Sequence, residues 1–93
     1  MKRDMKLCTQ ILAVVEKQPS LEPTPVGVEG REPQEVNYHL MLLNEAGLIE
    51  AEMVEHANNG QSRWLARRLT WAGYDFLENQ RAIERRTGGG LRC

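Results

Sequence analysis

Apolar residues near the amino terminus recur every three or four positions, which predicts a first helix. The members of this stripe are Met5, Cys8, Ile11, Leu12 and Val15. Successive helical residues are about 100° apart, so this spacing places the stripe on one face. Asp4 is suited to cap the start of the helix. Pro19 ends it, because proline lacks the amide hydrogen that a helix interior needs.

The stretch that follows the first helix contains all four prolines of the chain. Each proline removes an amide donor and restricts the residue before it. We therefore expect no helix longer than one turn between Gln18 and Pro33. The alternation around Val26 and Val28 predicts one short edge strand, Thr24–Val28.

A second helix should begin near Pro33 and end at Gly47, because proline suits a first helical turn and glycine suits a helix end. The residues on its core side are Val36, Leu40, Leu43 and Gly47. The opposite face contains Gln34, Tyr38, Met41 and Glu45, flanked by Asn37 and Leu42. No lysine or arginine lies between Pro33 and Ala46.

Two strands joined by a tight turn should follow. The segment from Leu48 to Glu55 mixes apolar and acidic residues in near alternation, which is typical of a half-buried strand. Asn58–Gln61 contains an Asn-Gly pair, a strong signal for a hairpin turn. The return strand should run from Arg63 to Leu69.

The register of this hairpin determines which arginines remain unpaired. A two-residue turn at Asn59-Gly60 would place Glu52 opposite Arg67, so these two charges should pair. Arg63 and Arg68 would then be free to contact a phosphate.

Thr70 is suited to cap a last helix that runs to about Arg85. Phe76, Leu77 and Ile83 should face inward. We expect one domain over residues 1–86 and a flexible glycine-rich tail over 87–93. Trp64, Trp71 and Tyr74 lie around the exit of the hairpin, and packing on the core or the hairpin is favoured over an exposed recognition surface.

The predicted fold is α+β, a winged helix with three helices and a small three-stranded antiparallel sheet whose hairpin forms the wing. The proline-rich segment replaces the helix that usually precedes the recognition helix. The predicted core residues are Leu12, Val36, Leu40, Leu43, Ile49, Leu69, Phe76 and Leu77.

Three motifs add a resemblance to this pattern. They are MKRDM at residues 1–5, YHLMLLNEAGLI at 38–49 and RLTWAGYDFL at 68–77. Together they resemble a family of small bacterial and phage proteins, a winged-helix-like domain of unknown function. The resemblance implies the fold and a phage or prophage context, and it implies no activity.

Composition excludes several classes of protein. Ninety-three residues make one small domain, and a net charge of −1 argues against indiscriminate coating of nucleic acid. The longest apolar runs, Ile11–Val15 and Leu40–Leu43, are too short to cross a membrane. Cys8 and Cys93 are expected to be free thiols, which together with the lack of an export signal predicts a cytoplasmic protein.

Catalytic and metal-binding patterns are missing from the sequence. Ser20 and Ser62 lie outside any Gly-x-Ser-x-Gly motif, and His39 is expected to be a packed or capping residue. No CxxC or HExxH motif occurs. We expect a non-enzymatic protein without a metal or cofactor.

Two functions remain open. The favoured one is an adaptor or inhibitor that binds a host or phage protein through Gln34, Tyr38, Met41 and Leu42, since no basic residue lies on that helix. The alternative is a transcriptional regulator that binds duplex DNA, with Asn37, Arg63 and Arg68 as candidate contacts. The regulator would bind DNA as a dimer, and the sequence leaves open whether the protein is a monomer or a homodimer.

Overall fold

Three helices pack against an antiparallel hairpin in the computed structural model, which describes residues 2–56 and 61–92, with side chains at 2–55 and 63–83. The elements are α1 (Met5–Glu16), α2 (Pro33–Glu45), β1 (Ile49–His56), β2 (Gln61–Leu69) and α3 (Trp71–Arg92). The predicted α+β class and its three helices are confirmed.

Helix α1 begins where Asp4 caps it, as predicted. The Leu7 amide donates a hydrogen bond to the Asp4 carboxylate at 3.2 Å. The buried residues of α1 are Leu7, Cys8, Ile11, Leu12 and Val15. The prediction that Met5 lies on this face is wrong, and Met5 is exposed. At about 100° per residue, Met5 falls just outside the buried arc and Leu7 falls just inside it.

The proline-rich segment between α1 and α2 contains no helix, as predicted. Its backbone pairs with β2 through one bridge, in which Thr24 donates to Ala66 at 3.0 Å and accepts from it at 2.9 Å. The predicted third strand at Thr24–Val28 is wrong, because the sheet of the described residues has two strands. Pro23 and Pro25 flank Thr24 and have no amide hydrogen, so the pairing does not extend.

Helix α2 begins at Pro33 and stops just before Gly47, as predicted. Gly47 has a φ of 78°, in the left-handed region that glycine adopts without steric cost. The amides of Gly47 and Leu48 donate to the carbonyls of Asn44 at 3.1 Å and Leu43 at 3.0 Å. This reversal leads the chain directly into β1.

The register of β1 and β2 differs from the predicted one. The pairs include Glu52 with Leu65, Met53 with Trp64 and His56 with Gln61, and the ladder is irregular between Glu50 and Ala51. A two-residue turn at Asn59-Gly60 would instead pair His56 with Arg63, so the predicted register is wrong. The connection between the paired strands is longer than two residues, which shifts every pair. The predicted turn itself lies at residues 57–60, outside the described part of the chain.

Thr70 caps α3, as predicted, and also joins α3 to the end of α2. Its hydroxyl oxygen accepts a hydrogen bond from the Gly73 amide at 3.0 Å. The same hydroxyl donates to the Gly47 carbonyl at 2.6 Å, and the Thr70 amide donates to the Leu48 carbonyl at 3.0 Å. The Thr70 carbonyl also accepts from the Tyr74 amide at 3.0 Å, so four hydrogen bonds of one residue fix the start of α3.

Helix α3 continues to Arg92, so the predicted end near Arg85 is too early. The sequence favoured an earlier end because glycine in a helix interior is less favourable than alanine by about 1 kcal/mol. The boundary at residue 86 and the flexibility of residues 87–93 stay predictions, and Cys93 lies outside the described residues.

The core lies where α1 and α2 meet the hairpin and the first turns of α3. Seven predicted core residues are confirmed as buried: Leu12, Val36, Leu40, Leu43, Ile49, Leu69 and Leu77. Phe76 is only half-buried, which contradicts its prediction, because α3 turns Gly73 and Leu77 toward the core and Phe76 lies beside that line. Leu7 and Ala66 are core residues that the predicted list lacked.

Candidate interaction surfaces

The predicted protein-binding face of α2 is less exposed than its sequence indicates. Gln34 is exposed, but Tyr38, Met41 and Leu42 are half-buried. The Tyr38 ring meets the buried His39 ring edge-on, with 5.6 Å between their centroids. These side chains therefore offer a partner much less apolar area than an open patch would.

Asn37, a predicted DNA contact, instead faces the hairpin. Its side-chain oxygen accepts a hydrogen bond from the Trp64 amide at 3.2 Å. Asn44, two turns later on α2, accepts one from the Ala51 amide at 3.1 Å. The prediction that Asn37 flanks the outward face is wrong, because α2 uses this side chain to satisfy a backbone donor of the sheet.

The arginines of β2 are mostly paired within the chain. Arg67 pairs with Glu52 at 3.3 Å, as predicted, although the two residues are not directly opposite. Arg68 forms two parallel hydrogen bonds with the Glu50 carboxylate, at 2.9 and 3.0 Å. These bonds lower the pKa of Glu50 and raise the pKa of Arg68.

The prediction that Arg68 is unpaired is therefore wrong. The shifted register and the irregular ladder bring Glu50 beside it. Arg63 is exposed and has no ion pair with any residue that the structure describes. Arg63 and Arg68 were both expected to be unpaired, and only Arg63 has no ion pair with a described residue.

A polar cluster joins α1, α2 and the end of the proline-rich segment. The Asp4 amide donates to Nε2 of the fully buried His39 at 2.8 Å. Nε2 is thus an acceptor, so the His39 proton is on Nδ1, which donates to the Glu35 carbonyl at 2.8 Å. Arg31 pairs with Asp4 at 2.9 Å and with Glu35 at 3.2 Å.

The contacts of this cluster indicate a structural role. The Leu7 amide and then Arg31 lower the pKa of Asp4, and both ring nitrogens of His39 are occupied by backbone groups. The expectation that His39 is a packed or capping residue is confirmed. Among the described residues, no group of histidine, cysteine and carboxylate side chains could hold a metal ion. Burial raises the pKa of the Cys8 thiol, which forms no disulfide.

Among the described side chains, the most exposed large apolar one is found at the start of α3. Trp71 is 84% exposed and Tyr74 is 44% exposed, whereas Trp64 is half-buried against the core. Core or hairpin packing is thus confirmed for Trp64 and wrong for Trp71 and Tyr74. A Cβ atom at Gly73 would overlap the Leu48 carbonyl, so this side of α3 lies against the backbone. Trp71 is about 160° away from it around the helix and points outward.

A groove of about 160 Å³ lies beside Tyr74, between the end of α1, the start of the proline-rich segment, β2 and α3. Tyr74 and Leu21 both line it, and Leu21 is 65% exposed. Trp71 is one helical turn from Tyr74. We refer to Leu21, Trp71 and Tyr74 as the aromatic surface. The sequence pattern does not indicate it, because the orientation of α3 depends on the close contact at Gly73.

One ion pair and the hydrogen bonds of Gln18 lie beside the same groove. Arg81 of α3 forms two hydrogen bonds with the Glu16 carboxylate of α1, at 2.9 and 3.3 Å, and these lower the pKa of Glu16. Gln18 donates to the carbonyls of Ala66 at 3.2 Å and Arg67 at 3.4 Å. The rim of the aromatic surface is therefore held by contacts between distant segments of the chain.

None of the helices in residues 2–56 and 61–92 combines the length and apolarity that a bilayer crossing requires. This agrees with the short apolar runs of the sequence.

Comparison with known proteins identifies relatives without a described activity. The family model described as "Hypothetical protein (DUF2513)" matches residues 2–84. An uncharacterized protein of Haemophilus influenzae is 36% identical over 83 residues, which cover 87% of this chain and 69% of that protein. No solved structure matches the chain significantly.

Proposed function

We propose that this chain, which belongs to the DUF2513 family, is a non-enzymatic protein-interaction module. It binds a host or phage protein in the cytoplasm, as an adaptor or an inhibitor, and uses the aromatic surface as its main contact. The observation that carries the proposal is the 84% exposure of Trp71.

The free energy gained by covering an exposed aromatic side chain favours binding as the role of this surface. An aromatic side chain buries about 150–250 Å² when it is covered, which corresponds to about 4–6 kcal/mol at about 25 cal/mol per Å². Tryptophan and tyrosine are also enriched among the residues that dominate protein interfaces. Leu21 and Tyr74 extend the apolar area into the groove, so a partner could cover more than one side chain.

The architecture proposed for this module is a winged-helix variant from a phage or prophage context. The single bridge at Thr24 stands where a third strand would lie, and the hairpin β1–β2 corresponds to the wing. The half-buried Tyr38, Met41 and Leu42, with the exposed Gln34, would form at most a secondary contact area.

A capture experiment tests the aromatic surface directly. Tagged wild-type protein, Trp71→Ala and Tyr74→Ala are incubated with host lysate, and bound proteins are quantified by mass spectrometry. We expect at least one partner whose affinity falls about 30-fold in Trp71→Ala, the effect of losing about 2 kcal/mol. Met5→Ala, which removes an exposed apolar side chain from α1, is the matched control. Equal capture by Trp71→Ala and wild type would contradict the proposal.

Duplex DNA binding is the alternative, and the observation in its favour is the exposed Arg63, which has no ion pair with a described residue. Phosphate contacts make affinity depend on salt, so binding should show a slope of log affinity against log salt of about −2 to −4 per protomer. Arg63→Ala should reduce that slope by about 1. The pairing of Arg67 and Arg68 with glutamates and the lack of basic residues on α2 make this alternative the weaker one.

A further inference from the structure

One edge of the hairpin has backbone groups that point away from β2. The amide and the carbonyl of Ala66 both form hydrogen bonds with Thr24. Ala66 therefore exchanges no hydrogen bonds with Ala51, the residue opposite it on β1. Ala51 therefore also directs its amide away from its partner strand. Its hydrogen bond to Asn44 on the far side agrees with this orientation.

The same orientation recurs at every second residue of β1. Met53 and Glu55 follow Ala51 at that spacing, and the register is regular from Ala51 to His56. Their amides and carbonyls therefore point outward, and no described residue pairs with them. Met53 is 49% exposed and Val54 is 38% exposed. Residues 53–55, which we call the β1 edge, can thus accept a further strand.

The charge of β1 defines the kind of segment that fits this edge. The strand contains neither lysine nor arginine. Of its three glutamates, Glu50 pairs with Arg68 and Glu52 with Arg67, which leaves Glu55. Glu55 is exposed and has no cationic partner among the described residues. Opposite charges on neighbouring strands are favourable, whereas like charges are unfavourable.

We propose that the β1 edge is a strand-addition site for an extended segment of a partner protein that carries lysine or arginine. The backbone of such a segment bonds to Met53 and Glu55, its basic side chains lie on the face of Glu55, and its apolar side chains cover Val54 on the opposite face. A second copy of β1 fits less well, because it would bring another Glu55 without a cationic partner to this edge. This site is separate from the aromatic surface and does not depend on it.

Proline substitutions distinguish the two edges of β1. Met53→Pro removes an amide hydrogen that points outward, so the fold should survive, since edge strands tolerate proline on the open side. Val54→Pro removes an amide hydrogen that pairs with β2, and its thermal unfolding midpoint should fall much further. Equal losses would show that the amide of Met53 is not free.

Hydrogen exchange with a defined probe tests the occupant. The probe is an acetylated, amidated peptide of alternating lysine and valine, about seven residues long, and its control has glutamate in place of lysine. At about four times its dissociation constant, the lysine peptide should slow exchange of the Met53 and Glu55 amides about five-fold, because only the free fraction exchanges. The glutamate peptide should have no effect.

Three variants complete the test. Glu55→Lys should weaken the lysine peptide several-fold, whereas Glu45→Lys, an exposed charge reversal on α2, should not. Trp71→Ala should leave the protection unchanged, so that a failure of the aromatic surface remains a separate result. The proposal is overturned if neither peptide protects these amides, if both do so equally, or if protection rises with protein concentration without peptide, which would identify a second copy as the occupant.

Discussion

The polar cluster at the start of α1 and the aromatic surface at the start of α3 differ in how far their side chains are buried and paired. In the cluster, Asp4, Arg31 and His39 all have partners within the chain, and His39 is completely buried. At the start of α3, Trp71 is 84% exposed, although its side chain is larger and more apolar than that of His39. Burial here does not follow hydrophobicity, so the first region is expected to control stability and the second to control binding.

Removing a core side chain beside the cluster should give the largest loss of stability. Leu40 is fully buried on α2 next to His39, so Leu40→Ala should lower the free energy of unfolding by about 2–5 kcal/mol. Leu21→Ala, on the aromatic surface, should change it by no more than about 0.5 kcal/mol. Urea denaturation measures both, and similar losses would remove the distinction between the two regions.

His39→Leu should have the next largest effect, because it leaves the Asp4 amide without its acceptor. An unsatisfied buried donor costs about 1–3 kcal/mol. Gln34→Leu makes the same change at an exposed position of α2 and serves as the control. A loss below about 0.5 kcal/mol for His39→Leu would show that the cluster does not stabilise the fold.

Acid should weaken the cluster by a smaller amount. The pKa of Asp4 lies below its ordinary value of 3.8, so the folded state favours the ionised carboxylate. That stabilisation is fully present above pH 3.8 and is lost as the pH falls through the folded pKa. The thermal unfolding midpoint of Asp4→Asn should therefore depend less on pH below about 4 than that of wild type. Identical pH profiles would contradict the assigned role of Asp4.

Trp71→Ala should change stability least. Because the side chain is mostly exposed, the free energy of unfolding should stay within about 0.5 kcal/mol of wild type, while partner capture falls. A loss above about 2 kcal/mol in urea denaturation would mean that Trp71 packs within the chain, and the aromatic surface would then not exist as described.

The sequence predicted local structure well where one residue type has one dominant physical effect. Asp4, Pro33, Gly47 and Thr70 begin or end helices at the expected positions, because capping and proline geometry act over a few residues. The prolines around Thr24 also predicted the lack of a helix. Their missing amides, however, stopped the expected third strand after one bridge.

Contacts between distant segments could not be predicted in the same way. The register depended on a connection longer than the Asn-Gly signal indicates, and that shift paired Arg68 with Glu50. Asn37 reaches the Trp64 amide only because α2 lies across the hairpin. The exposure of Trp71 follows from the contact of Gly73 with Leu48, which no periodicity of the sequence describes.

The hydrogen bonds of Thr70 have a consequence for binding thermodynamics. They fasten the first turn of α3 to the reversal after α2, so the backbone beneath Trp71 is ordered before any partner arrives. Association then restricts mainly the side-chain rotamers of Trp71, and each immobilised side chain costs about 0.5–1.5 kcal/mol. A preorganised anchor of this kind retains more of its contact energy as affinity than the same tryptophan on a disordered loop would.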